Sequence, residues 1–236
     1  MVGWLERAVG PGGASMALVY LELAFALTLL GTVLHFRRHR ETSREIRAVR
    51  AYFLTFFSLV LVLPCLIIVL TAARPLQTLA AAGWTFGRLG LGAALTLAGL
   101  PLAVLAGFIG SRDPAMQKMY PLAKAACADG RAFAGYELSY LVLYYLPWES
   151  VFRGVLFLPL IPAIGLVPAL ALQTIFSTFL HIGHPNSEIF AAAGAGLAFG
   201  LVASFTGSFF YPLVLHATTG IVTDTRLFFR RRKGRS

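Results

Sequence analysis

Three stretches far apart in the chain set acidic or imidazole side chains into apolar surroundings. The first, Pro147-Trp148-Glu149-Ser150-Val151-Phe152-Arg153-Gly154, puts a carboxylate and a guanidinium inside a run, 138–160, that otherwise reads as a membrane span. A charge at that depth is expensive unless it is paired or faces a polar cavity. Glu149 and Arg153 are four residues apart, so on a helix they share a face and can pair. Pro147 lacks an amide proton and frees the carbonyl of Leu143, which points to a polar pocket nearby. The second stretch is His181-Ile182-Gly183-His184-Pro185-Asn186-Ser187-Glu188. His181 ends an apolar run, and Gly183 and Pro185 break the helix after it. Glu188 opens the next run, where a carboxylate serves a helix N-terminus as readily as it serves chemistry. The third stretch carries His216 in mid-span, with Asp224 about two turns further on.

Glu, His and His at membrane depth suit hydrolysis. A carboxylate can act as general base on a water that an imidazole orients, while another imidazole donates to a developing oxyanion. His181, His216 and Glu149 are also candidates for a divalent metal such as zinc, but no His-Glu-x-x-His pair on one helix selects it. Ser150 and Ser208 lack a Gly-x-Ser-x-Gly turn, which leaves water as the expected nucleophile. Glu22, deep in the first apolar run, either lines the pocket or hydrogen-bonds to a neighbouring helix.

The elements that must position these groups are membrane spans. Hydrophobic residues make up 58% of the 236 and charged residues 13%. With a mean hydropathy of +0.75, the chain has more apolar surface than one soluble core could bury. The expected fold is all-α, a polytopic transmembrane bundle of about seven spans: 16–36, 51–72, 89–109, 138–160, 166–180, 189–205 and 209–225. Residues 111–137 read as a polar connection. With the N-terminus outside, 16 of the 20 Lys and Arg fall in cytoplasmic segments and three fall outside. That bias predicts an inner (plasma) membrane protein with a cytoplasmic C-terminus. It also accounts for the net charge of +10 through orientation and attraction to anionic lipid, with no nucleic-acid motif present. The N-terminus lacks the pattern of a cleaved signal peptide, so the first span is expected to remain. Cys65 and Cys127 do not make a disulfide framework. The chain reads as one integrated domain: scaffold spans over 1–137, a motif-bearing core over 138–225 and a basic cytoplasmic tail over 226–236.

Glu149-Ser-Val-Phe-Arg153-Gly154, His181 at a span end, Gly194-Ala-Gly-Leu-Ala-Phe-Gly200 with Thr206-Gly207-Ser208, and His216-Ala217 together resemble the CPBP family of intramembrane proteases. That family includes the CAAX prenyl endopeptidases and the bacterial Abi proteins, and the resemblance covers about 138–224. It implies a helical membrane bundle that hydrolyses a peptide bond in a membrane-tethered substrate. It also implies that His181 assists the water, His216 serves the oxyanion and Arg153 pairs with Glu149. Where the family has its first glutamate this chain has Trp148, with Ser177 at the phenylalanine before His181 and Gly220 at the asparagine after His216. The base is therefore expected at Glu149 or Glu188, or lost. In the latter case the protein is a membrane scaffold or regulator of partner proteins.

Overall fold

The computed structural model describes residues 19–20, 22–23 and 46–233. Most of the first expected span and the basic segment 37–44 lie outside the described residues. Among the described residues the chain forms helices and no strand. Helix α1 runs as Ile46–Phe57, a π-helical turn Ser58–Val62 and Leu63–Thr71. The short α2 is Pro75–Ala81 and α3 is Leu89–Gly110. After α4, Pro114–Met119, come α5, Gly130–Ile164; α6, Leu166–Phe179; α7, Asn186–Thr206; and α8, Phe210–Lys233. Among the described residues four helices are long and apolar enough to cross a membrane, namely Ala48–Thr71 within α1, α3, α5 and α7; α6 is apolar but shorter. Their lipid-facing character shows in exposed Leu70, Leu97, Leu102 and Phe190.

Two boundaries differ from the sequence expectation. The motif span begins at Gly130, not Leu138, because Asp129 caps Ala132 N with its side chain at 2.8 Å. Residues 130–137 therefore belong to the helix, and the polar connection shrinks to 111–129. At the other end, the basic segment continues α8 through Lys233. Arg231 Nη2 donates there to the carbonyls of Gln117 and Tyr120 at 2.7 and 3.2 Å, tying the helix end to the 111–129 connection.

Helix α5 is the most buried of the four spans and forms the axis of the bundle. One aromatic stripe, Tyr136, Tyr140, Tyr144, Trp148 and Phe152, recurs every fourth residue along it, with successive ring centroids 4.8–5.7 Å apart. A strict four-residue spacing overruns a 3.6-residue turn. The wider i→i+5 turns at Leu141–Tyr145 and Ser150–Val155 absorb the excess and keep the stripe on one side. Helix α1 packs on that stripe through Phe53, stacked on Tyr140 at 4.7 Å, and Phe56, stacked on Tyr144 at 4.6 Å.

Helices α6 and α7 are joined by a buried amide. Gln173 Nε2 donates to the Gly196 carbonyl and the Thr174 hydroxyl, both at 2.7 Å. Helix α3 lies against α8 with small residues at the contact, as membrane helices pack when backbones must approach closely. A Cβ on Gly107 would come within 2.5 Å of the Thr219 carbonyl.

Candidate active site

Glu149 immediately precedes the second π-helical turn of α5 and is fully buried. Its two oxygens face two partners. Oε1 accepts from His216 Nδ1 at 2.7 Å, and Oε2 lies 3.2 Å from Arg153 Nε. The second contact is an ion pair whose angle falls outside hydrogen-bond geometry, so it acts mainly through charge. Arg153 is itself buried, and its guanidinium lies 5.6 Å from the Phe199 ring. The expected i, i+4 pairing is present, and α8 adds His216 to it as a third member. Gly154 follows because a Cβ there would come within 2.5 Å of the Ala82 carbonyl, so only glycine lets α5 approach that backbone.

A cavity of about 670 Å³ opens between α3, α5, α7 and α8. His181, His184, Glu188, His216 and Asp224 all reach its wall, as does Trp148. Glu149 and Arg153 do not, and Pro147, near which a polar pocket was expected, is buried and off the wall, although its neighbour Trp148 is on it. The turn from His181 to Ser187 does contribute to the wall, at His181, His184 and Ser187.

His181 is half-buried at the end of α6, where Nδ1 is 2.8 Å from the Ser177 carbonyl and the ring stands edge-on to Trp148 at 5.1 Å. The Nδ1–H therefore donates to that carbonyl, leaving Nε2 as the acceptor. The Glu149 contact has the same consequence for His216. Glu188 accepts from the Tyr120 hydroxyl at 2.6 Å, and His184 Nδ1 lies 3.0 Å from the same oxygen; its second oxygen has no hydrogen-bond partner. Next to Glu188, Ser187 donates to Asp113, which also accepts from Ala115 N. Those two bonds, the one from Ser187 foremost, hold the Asp113 carboxyl below the usual aspartate range.

Several wall groups escaped the sequence reading. Tyr120, Tyr140, Tyr144 and Tyr145 line the cavity, and Glu137 lies near Asp224, which accepts from the Tyr136 hydroxyl at 3.2 Å. Tyr145 is edge-on to His216 at 4.9 Å, and its hydroxyl fills the space beside Gly220, where a Cβ would lie 1.7 Å away. The four-residue spacing of the tyrosines was the one signal for them in the sequence.

The candidate metal ligands do not converge. His181 and His216 each commit Nδ1 to a separate acceptor, and Glu149 is occupied by His216 and Arg153. Among the described residues, no group of three His, Cys, Asp or Glu is placed to hold a metal ion.

The fold and site define an integral membrane helix bundle with a largely apolar cavity between its spans that carries histidines and two carboxylates. Residues 134–222 match the family model described as Rce1-like, type II CAAX prenyl endopeptidase. That segment, which holds all five candidate site residues, is thus similar to CAAX-protease type intramembrane endopeptidases. No curated protein and no solved structure matches the chain significantly.

Proposed function

We propose that the protein hydrolyses a peptide bond of a membrane-tethered substrate in this cavity, with His216 as the general base and Glu149 as the buried carboxylate that positions it. The observation that carries this reading is the 2.7 Å contact between Glu149 Oε1 and His216 Nδ1, on a ring that lines the cavity. A carboxylate behind an imidazole fixes the tautomer and stabilises the imidazolium formed when Nε2 takes a proton. The arrangement supplies what Trp148 cannot.

His216 Nε2 takes one proton from a water, whose oxygen attacks the carbonyl carbon and forms the tetrahedral intermediate. His181 Nε2 accepts the second hydrogen of that water and so orients it. Tyr145 offers a hydroxyl to the developing oxyanion from the notch at Gly220. The imidazolium of His216 then protonates the departing amine as the C–N bond breaks. Arg153 neutralises Glu149, so that the resting site carries no uncompensated buried charge.

Glu188 is the competing base, favoured by its unpartnered oxygen on the cavity side of the bundle. Orientation with the N-terminus outside and the basic helix end in the cytoplasm, in the inner membrane, completes the proposal. Protein reconstituted in liposomes and given fluorogenic peptides in heavy-oxygen water tests it. Cleavage with one heavy oxygen in the new carboxyl group, and no acyl-enzyme adduct in the intact-protein mass, supports water attack. Absence of cleavage across a broad peptide set supports the scaffold reading, with Trp148 as the substitution that abolished catalysis.

A further inference from the structure

The cavity wall has a charge sign that the chain as a whole does not share. The chain holds 20 Lys and Arg against 10 Asp and Glu, yet among the described residues no Lys or Arg reaches the wall, where Glu188 and Asp224 do. Arg153 stands behind Phe199 and is paired with Glu149. Lys124, on the 111–129 connection, lies within electrostatic reach of Asp224 from behind the wall. Glu188 meets His184 at 3.0 Å and the Tyr120 hydroxyl at 2.6 Å through one oxygen, and its other oxygen accepts no hydrogen bond.

The second feature is aromatic. Tyr120, Tyr140, Tyr144, Tyr145, Trp148 and Phe199 present rings to one space. Ring faces attract cations, most strongly where water is excluded, and a carboxylate beside them adds its full charge. A lysine or arginine side chain matches both features. An acidic side chain would meet Glu188 and Asp224 with no Lys or Arg among the described wall residues to receive it.

We infer that the cavity selects a peptide bearing a lysine or arginine side chain close to the bond presented to His216, and rejects an acidic side chain at that place. This deepens the proposed function by naming its substrate class, and it rests on the cavity being the substrate site. Its measurement is binding, which does not require turnover.

Three fluorescent peptides identical but for one central residue (lysine, norleucine or glutamate) are titrated into the full chain in nanodiscs and followed by anisotropy. The lysine peptide binds about tenfold tighter than the norleucine peptide, and the glutamate peptide binds weakest. Glu188→Gln and, separately, Phe199→Leu each shrink the lysine preference, and the melting temperature of each variant checks its folding. Equal binding of lysine and norleucine, tighter binding of glutamate, or no binding by any of the three overturns the inference. So does loss of the preference when a short-chain choline phospholipid competes as well as the lysine peptide, since the cation would then be a lipid headgroup. The same peptides are assayed for cleavage. Lysine-selective binding without cutting upholds this inference and ends the proteolytic one, and cutting without lysine preference does the reverse.

Discussion

Glu149 holds His216 from the side away from the cavity, with Oε1 of the carboxylate 2.7 Å from Nδ1 of the ring. The two residues come from α5 and α8, 67 positions apart, and the carboxylate has no exposed surface. A fully buried acid in contact with an imidazole on one side and a guanidinium on the other is costly to build and to break. The first prediction follows from that cost.

Glu149→Ala leaves Arg153 buried without its counter-charge, which costs about 3–5 kcal/mol. The melting temperature in detergent falls by many degrees. The double variant Glu149→Ala/Arg153→Met recovers much of the loss, since the orphaned charge is then gone as well. Thermal unfolding of the three proteins checks both statements.

Gly220→Ala drives a methyl group into the Tyr145 hydroxyl, 1.7 Å from where its Cβ would stand. Overpacking of this kind costs about 1–3 kcal/mol. Adding Tyr145→Ala removes the clash, so the two changes together destabilise less than their sum. A double-mutant cycle by thermal melting reads the coupling.

Gln173→Leu removes the donor to the Gly196 carbonyl inside the α6 and α7 contact. That carbonyl keeps its own helical bond, so the change loses one net hydrogen bond, about 0.5–1.5 kcal/mol. The loss is expected as a lower melting temperature and faster amide exchange in both helices, and Thr218→Ala, exposed on α8, serves as the control.

Asp113 ties the loop before α4 to Ser187 at the start of α7. Its acidity is strengthened in the folded protein, so the tether contributes stability above the ordinary aspartate pKa, about 3.9. That contribution is lost as pH falls through the lower folded value. Hydrogen exchange across 111–119 therefore stays slow down to about pH 4 and rises below it. Asp113→Asn shows fast exchange at every pH.

Much of this was legible in the sequence because membrane depth makes polar residues conspicuous. Glu149 and Arg153 stood out at helical spacing, and His216 was visible in mid-span. The start of α5 was not, since Arg131 and Glu137 disguise eight residues of helix as a connection. What joins them to the fold is long-range: Glu137 meets Asp224, and Tyr120 meets Glu188 across 68 residues. No local periodicity encodes such pairs. The assignment of Glu149 behind the wall and Glu188 on it was equally hidden, because each begins or occupies a helix with the same apolar neighbours. The tyrosine stripe was encoded locally and is the signal that a four-residue count would have found.

The most direct test compares single-turnover cleavage by the wild type, His216→Ala, Glu149→Gln and the double variant, each verified as folded by its melting temperature. Residues acting as one unit are not additive. His216→Ala is expected to lose about 100-fold or more, with Glu149→Gln close behind and the double variant no slower than His216→Ala alone. Cleavage that survives His216→Ala undiminished while Glu188→Gln abolishes it would contradict the account.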